Sequence, residues 1–406
     1  MERRRLRVVG TVLALVCAAL VASFADPALQ HIGAGSPRVA EAAASQRPLP
    51  TTPTSTTGPG RATPAANLVP WTGPVEHLFF HTLVIRPELA FTDDSEAQGF
   101  RDYFVTVGEF RAILDGLYAN GWSLVDIHRA VAGTVRVPPG RRPLVLSEDD
   151  VNYYDYSRPR GLGWRLVLAA DGAVRVEVRD DRGVRVTDED LVPIVDAFVE
   201  RHPDFSAEGA KGVLAVTGYE GVLGERVGDS SSPDRAASVE RARAVAERLK
   251  ATGWTFASHS FGHIDLVRDG LAMATRDAAR WAEVVSPVVG PTDVYIYPFG
   301  AAPPLQSATV GMLRDLGFTI QCGIDAVARL VDAEGVHFMW RRHIDGIAFR
   351  DQRRALEPFF DVAAVEDVGS RGDRNGAAGG GTRWRRPAQP SGRERGPARV
   401  APAGRG

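Results

Sequence analysis

The stretch RPLVLSEDDVNYYDY, residues 142–156, begins as an apolar run and ends in acidic residues. Residues 143–146 have the length and composition of a short buried strand, and Glu148, Asp149 and Asp150 follow almost at once. Neighbouring carboxylates repel one another, and burying them without a compensating cation is costly. The stretch therefore needs a compensating positive charge from elsewhere in the fold.

Strand-like and helix-like segments alternate through residues 75–352, which we expect to form the folded domain. The segment TVGEFRAILDGLYANG illustrates a helix, since it starts at a Thr cap with Glu three residues later and stops at Gly121. Apolar runs such as KGVLAVTG illustrate the strands. Repeated alternation of this kind predicts an α/β protein with a parallel sheet, and the number of units favours a β/α barrel.

One segment interrupts the alternation. WRLVLAADGAVRVEVRDDRGVRV, residues 164–186, alternates with period two around the Asp171-Gly172 pair. This pattern predicts a β-hairpin inserted after the acidic strand end. On the catalytic face of a β/α domain, such an insertion commonly shapes access of the substrate.

Both ends of the chain differ in composition from its centre. Residues 1–25 combine a basic start with an apolar run, which predicts a signal peptide or, if it is not cleaved, a membrane anchor. Residues 26–74 are a Pro/Thr-rich linker, and residues 353–406 form an Arg/Gly/Pro-rich tail that we expect to be disordered. The leader predicts an extracytoplasmic protein, secreted or anchored to the cell membrane.

Composition excludes some partners. The formal net charge is −2, so no overall electrostatic field recruits nucleic acid. Cys17 lies in the leader and Cys322 is the other cysteine, so the mature chain has no internal disulfide. We expect a monomer that depends on its own hydrophobic core.

Two further polar motifs follow predicted strands. SHSFGH contains His259 and His263, and YPFG spans residues 297–300. Active sites of β/α barrels lie at the C-terminal ends of the strands, so these motifs should meet the acidic stretch. A lone HxxxH is usually incidental, but together with paired aspartates it is a specific signal. Two imidazoles and one carboxylate would bind a metal ion and leave a position open for water.

The order and content of these motifs resemble the polysaccharide deacetylases, which are metal-dependent carbohydrate esterases on a distorted β/α barrel. SEDDV corresponds to the family's Thr/Ser-Phe-Asp-Asp-Gly, HSFGH to its His-Ser/Thr-x-x-His, and YPFG to its Pro-Tyr/Phe motif. The resemblance covers about residues 75–350. It implies a hydrolase that removes acetyl groups, mainly N-acetyl groups, from a surface polysaccharide or peptidoglycan.

The resemblance also implies a role for each matching residue. Asp149 would be the general base, and Asp150, His259 and His263 would bind a divalent metal ion, expected to be Zn²⁺. The backbone N–H of Phe299 would help to hold the oxyanion.

The sequence departs from the family pattern in the first and third motifs. Glu148 stands in place of Phe, and two interpretations are open: an acid that supports the metal ligands without binding the ion, or a solvent-facing side chain. Where the family carries an Arg that orients the base, this chain has Ile296 and Tyr297. Arg341 and Arg342, on a later strand, are the candidates to replace it.

The general acid has no clear motif match. His343 is the best candidate and His81 a weaker one, although an ordinary hydrogen-bonded histidine is at least as common for either. Trp254, Trp281 and Trp340 are candidates for sugar stacking, with a place in the core as the default.

Two other functional classes remain open from the sequence. A non-catalytic glycan-binding or cell-wall structural protein would explain the missing Arg and the unclear acid, but it has little need for a metal and a base together. A phosphoester metallohydrolase is more distant, since no phosphate-cradling Gly loop is present.

Overall fold

A computed structural model of the chain describes residues 67–228 and 231–371. The predicted leader, most of the Pro/Thr-rich linker and residues 372–406 of the basic tail lie outside the described residues. Across the part of the chain that is described, no helix is both long enough and apolar enough to cross a membrane.

Strands and helices alternate along the described chain. The strands are β1 (Val69–Pro70), β2 (Glu76–His81), β3 (Trp122–Leu124), β4 (Arg136–Val137), β5 (Arg142–Asp149), β6 (Arg165–Leu168), β7 (Val174–Asp180), β8 (Gly183–Thr187), β9 (Gly212–Val216), β10 (Trp254–Ser258), β11 (Val294–Ile296), β12 (Ile320–Ile324), β13 (Arg329–Ala333) and β14 (Val336–His343). The α-helices are Pro87–Ala90, Ala97–Tyr103, Val107–Ala119, Ile127–Val131, Leu191–Arg201, Arg235–Ala251, Leu266–Val284, Ser286–Val289, Ala308–Asp315, Gly346–Asp351, Arg353–Leu356, Val362–Val365 and Val368–Arg371. Short 3₁₀ helices are Arg158–Arg160, Pro203–Phe205, Ala207–Gly209 and Pro298–Gly300.

Parallel strands close into a barrel at the centre of the domain. The order around the barrel is β2, β5, β9, β10, β11, β12 and β14, and β14 pairs with both β12 and β2 to complete the ring. β3 adds to the outside of β5, and β13 pairs antiparallel with β14. The predicted β/α barrel is therefore confirmed.

The lumen of the barrel is apolar over most of its length. Alternate side chains of each strand point inward, and these are small or branched residues that form one buried cluster. The cluster includes Val145, Val213, Ala215, Ala257, Ile296, Ile320, Cys322 and Met339. A larger buried cluster fills the space between the outer faces of the strands and the helices. Polar side chains appear in the lumen where the strands end, and this is where the site lies.

The predicted cap of the helix Val107–Ala119 is present. Thr106 Oγ1 accepts the N–H of Glu109 at 3.1 Å, and Glu109 Oε2 accepts the N–H of Thr106 at 2.8 Å. This reciprocal pair satisfies two of the N–H groups that a helix start leaves without partners.

The insertion after β5 has one strand more than the predicted hairpin. β6, β7 and β8 form an antiparallel three-stranded sheet, with the first turn around the predicted Asp171-Gly172 pair. The second turn, at Asp181 and Arg182, adds the third strand to the same sheet. The period-two pattern thus predicted the type of structure correctly and missed the second turn.

The folded part extends beyond the predicted interval of residues 75–352. At its start, β1 pairs with β4. At its end, Arg371 is buried and its guanidinium makes two bonds, of 2.6 and 2.7 Å, to the carboxylate of Glu109. The first part of the predicted tail, residues 353–371, is therefore packed on the barrel rather than disordered, because it adds buried apolar side chains such as Phe359 and Phe360 and the counter-charge for a buried Glu.

Candidate metal centre

Inward-facing side chains from several strand ends meet at the mouth of the barrel lumen. In the register of the parallel strands, His81 lies opposite Asp149, and Phe79 lies opposite His343. His259 directly follows β10, two residues after the lumen residue Ala257. Period-two alternation therefore brings an acid and three imidazoles to one end of the barrel.

Asp150, His259 and His263 form the one cluster of potential metal ligands found in the described residues, with all three ligand atoms within 4.8 Å of one another. Asp150 Oδ1 lies 3.8 Å from His259 Nε2 and 3.5 Å from His263 Nε2. Ligand atoms around a tetrahedral zinc ion, each about 2.1 Å from it, are about 3.4 Å apart. The three residues therefore fit one small divalent ion, with a position left over for water.

His259 has a defined tautomer. Its Nδ1 is 2.8 Å from the carbonyl oxygen of Ile296. Because a carbonyl oxygen can only accept a hydrogen bond, Nδ1 has the hydrogen and donates it, and Nε2 has the free electron pair. Burial lowers the pKa of His259 to about 4, so the ring is neutral near pH 7. A neutral imidazole oriented through its other nitrogen is the usual form of a histidine metal ligand.

The backbone is strained at the site. Asp150, His263 and Phe299 have φ values of 62°, 50° and 60°, a left-handed conformation that side chains other than Gly rarely adopt. Each such residue costs on the order of 1–3 kcal/mol and persists only where the surroundings impose it. Three of them at one strand-end cluster indicate that the surrounding contacts impose this geometry.

Asp149 does not join the ligand cluster and instead binds Arg341. The guanidinium donates to Oδ1 at 2.7 Å and to Oδ2 at 3.0 Å, and both side chains are almost completely buried. Asp149 Oδ2 also lies 4.0 Å from His259 Nε2, so the carboxylate is next to the cluster. Arg341 thus occupies the position expected for a base-orienting Arg, whereas Arg342 points outward to Glu76.

Arg341 keeps Asp149 ionised. Burial alone would raise the pKa of Asp149, but the charge of Arg341, with smaller contributions from His259 and His81, more than offsets this and lowers the pKa to about 2. The carboxylate is therefore charged, and able to accept a proton, over the whole physiological pH range.

Contacts with other residues of the barrel lumen fix the position of Arg341. Its Nη1 donates to Ser147 Oγ at 3.1 Å, and the same oxygen lies 2.9 Å from His77 Nε2. The guanidinium also lies 4.1 Å from the centre of the Phe79 ring. These contacts fix the plane of the guanidinium and therefore the orientation of the Asp149 carboxylate.

Glu148 points away from the metal centre. It is completely buried on the outer face of β5, and neither carboxylate oxygen has a hydrogen-bond partner among the described residues. Burial, together with the charges of Asp190 and Asp149, raises its pKa well above the ordinary value. The solvent-facing interpretation of Glu148 is therefore wrong.

Both candidate acids lie near the mouth of the lumen. His343 Nδ1 is 2.8 Å from Asp345 Oδ2, and its Nε2 is 2.7 Å from the side-chain amide of Gln352. Burial alone would lower the pKa of His343, but Asp345 raises it above its ordinary value. His81 Nδ1 is 3.1 Å from the carbonyl oxygen of Tyr103. The charge of His81 contributes to the lowered pKa of Asp149.

Sequence reasoning missed one direct neighbour of the cluster. The hydroxyl of Tyr154 donates to Asp150 Oδ1 at 2.8 Å and so orients the carboxylate of the cluster. Phe299 packs its ring 4.4 Å from that of His263, which places the Pro298–Gly300 turn beside the cluster. The NYYDY segment that follows the paired aspartates was the available signal for Tyr154.

The three tryptophans that are candidates for sugar stacking lie outside the site. The indole N–H of Trp254 donates to Asp196, and that of Trp281 donates to the carbonyl of Val216. Trp340 is half-buried on the outer side of β14, where the Arg329 guanidinium lies 4.5 Å from its ring. The default interpretation as packing residues is confirmed for Trp254 and Trp281, which belong to the core.

Comparison with known proteins yields structural relatives alone. No protein-family model matches the chain, and no curated protein matches it. Among solved structures, the deacetylase PplD of Streptococcus pyogenes, determined with acetate, is 14% identical over 68% of this chain and 94% of its own, with a TM-score of 0.40. IcaB of Ammonifex degensii is 15% identical over 70% of this chain and 97% of its own, with a TM-score of 0.40. The deacetylase domain of BpsB from Bordetella bronchiseptica is 14% identical over 67% of this chain and 96% of its own, with a TM-score of 0.37.

PplD and the BpsB domain are deacetylases by name. At these identities the comparison concerns the fold.

Proposed function

We propose that this protein is a divalent-metal-dependent hydrolase that removes acetyl groups, mainly N-acetyl groups, from a surface polysaccharide or peptidoglycan. One observation carries the proposal: an ionised, Arg-held carboxylate lies next to a cluster of one carboxylate and two imidazoles with metal-ligand spacing. A binding protein has no need for a general base beside such a cluster.

Asp150, His259 and His263 would hold the ion, for which Zn²⁺ is the best candidate. When bound, such an ion polarises the acetyl carbonyl and lowers the pKa of a bound water toward about 7. Asp149 accepts the proton of the attacking water while Arg341 keeps the carboxylate oriented. The N–H of Phe299 donates to the carbonyl oxygen as negative charge develops on it.

Cleavage of the amide requires a proton for the leaving nitrogen. The water oxygen forms a bond to the acetyl carbon, the C–N bond breaks, and an imidazole gives its proton to the nitrogen, which yields acetate and a free amine. His343 remains the first candidate for this role, because Asp345 favours its protonated form. His81 is the second candidate, since it lies opposite Asp149 in the strand register.

The basic, apolar leader supports a location outside the cytoplasmic membrane, where such a glycan would be met. A monomer remains the expected state.

Purified protein tests the proposal in two steps. Elemental analysis should find about one equivalent of divalent metal, and the loaded protein should release acetate from an acetylated glycan of a test panel. His263→Ala should lose the metal and the activity, because two protein ligands rarely retain zinc against a chelator. His337→Ala is the matched control, since His337 is a surface histidine paired with Asp332 at 2.6 Å. Metal at a full equivalent in His263→Ala would contradict the assignment.

A further inference from the structure

The short segment between the two imidazoles is held by a carboxylate from the next helix. Asp277 Oδ1 accepts the N–H of Phe261, and its Oδ2 accepts the N–H of Gly262, both at 2.7 Å. Asp277 is buried and does not belong to the ligand cluster of His259 and His263. A single carboxylate thus binds two consecutive peptide groups that lie between the two imidazoles.

The same segment is fixed on its other side. The carbonyl oxygen of Phe261 accepts the N–H groups of Gly218 and Tyr219, at 2.9 and 2.7 Å. Within the segment, Ser260 Oγ accepts the N–H of Ile264 at 3.0 Å. The Phe261 peptide is therefore held between the loop after β9 and the helix that bears Asp277.

This double attachment matters because the segment is strained. Ser260 and His263 both have left-handed φ values, 56° and 50°, which side chains other than Gly rarely adopt. Such a conformation relaxes unless the surrounding contacts impose it. If it relaxed, His263 would move relative to His259, which is anchored separately through Ile296.

We propose that Asp277 is a positioning residue that sets the separation of the two imidazoles and thereby the affinity of the site for a divalent metal ion. This inference rests on the proposed function, because it assumes that the cluster binds metal. It assigns Asp277 an effect on the site in addition to any contribution to folding.

The geometry predicts which substitutions disturb the loop. An amide at position 277 keeps the shape but replaces one acceptor oxygen with an NH₂ group, which would then face a backbone N–H. At position 262, an added Cβ would lie 3.2 Å from Asp277 Oδ2 and push the carboxylate away. Asp277→Asn therefore removes one of the two acceptor oxygens, whereas Gly262→Ala shifts the same carboxylate by a few tenths of an ångström.

Zinc affinity, measured by competition with a chelator, tests the inference. We expect Asp277→Asn and Gly262→Ala to bind Zn²⁺ about 10–100-fold more weakly than the parent, as is typical when the groups that orient metal ligands are changed. With Co²⁺ in place of Zn²⁺, the visible absorption spectrum of both variants should also change, because it reports the geometry of the ligands.

Asp126→Asn is the matched control. Asp126 Oδ1 likewise accepts two consecutive backbone N–H groups, from His128 and Arg129 at 2.8 and 3.1 Å, but Asp126 lies at the opposite end of the barrel. The Asp126→Asn substitution should lower the thermal midpoint of the metal-free protein while leaving the zinc affinity and the Co²⁺ spectrum unchanged.

The outcomes separate the two proposals. If the parent and Asp277→Asn bind Zn²⁺ with the same affinity and give the same Co²⁺ spectrum, Asp277 is structural and this inference is wrong, while the proposed function stands. The same holds if Asp126→Asn weakens zinc binding as much as Asp277→Asn does. If the parent itself binds no metal, the proposed function fails and the inference fails with it.

Discussion

Replacing Arg341 with Met should destabilise the metal-free protein strongly. The substitution keeps much of the side-chain volume but removes the charge that faces Asp149 across bonds of 2.7 and 3.0 Å in the buried lumen. Removing one partner of a buried ion pair typically costs about 3–5 kcal/mol, because the other charge is left buried and unpaired. We therefore expect the free energy of unfolding, from urea titration at pH 7, to fall by about that amount.

The loss should depend on pH in a defined direction. In the parent the pKa of Asp149 is lowered from 3.8 to about 2, so its contribution is present above about pH 4 and is lost as the pH falls toward 2. In Arg341→Met, burial would raise the pKa of Asp149, so the carboxylate takes up a proton at higher pH and the penalty disappears. The difference in stability between the two proteins should therefore be largest near neutral pH and shrink on acidification.

Arg342→Met is the control for this experiment. Arg342 is the next residue on β14 but points outward, where it pairs with Glu76 at 3.1 Å. The Arg342→Met protein should not show the pH-dependent loss of stability that is expected of Arg341→Met. The reasoning about the lumen would be refuted if Arg341→Met were no less stable than Arg342→Met at pH 7, or if its deficit did not change between pH 7 and pH 3.

Further predictions concern the roles within the site and the location of the protein. Asp149→Asn should keep the metal and lose about 100-fold or more of the acetate release, as expected for a lost general base, and metal analysis with initial rates checks both. Asp150→Asn should lower the metal content, and excess metal should partly restore activity. His343→Gln should slow release of an amine more than His81→Gln does; the reverse order would move the acid role to His81. Fractionation of expressing cells should find the protein outside the cytoplasm, and an unprocessed cytoplasmic protein would exclude export.

The barrel and the ligand cluster follow from local patterns. Alternating strands and helices specify a parallel sheet, and the C-terminal ends of parallel strands meet on one side, so the DD and HxxxH motifs had to converge. Period-two alternation also separates Asp149 from Glu148, because neighbouring residues of a strand point to opposite faces. The burial of Glu148 was thus available from the sequence once β5 was known to have both faces covered.

Other parts of the site depend on contacts between distant segments. Arg341 is 192 residues from Asp149 and reaches it only because β14 closes the barrel between β12 and β2. No local pattern distinguishes it from Arg342 until the register of that strand is fixed. Asp277 follows His263 by one short loop and part of a helix. Its bonds to the Phe261–Gly262 segment become visible only when that helix is seen to pack against the loop. Tyr154 reaches Asp150 because the chain turns sharply at two residues with positive φ.

The most direct test of the proposed chemistry is acetate release from acetylated glycans by one preparation of the protein, measured first with metal, then after chelation, and then after Zn²⁺ is added back. The proposed mechanism predicts release that falls to background on chelation, returns with about one equivalent of Zn²⁺, and does not return in His263→Ala. Acetate release that persists undiminished in chelated protein, or the absence of release from every glycan tested by protein shown to hold one equivalent of metal, would contradict it.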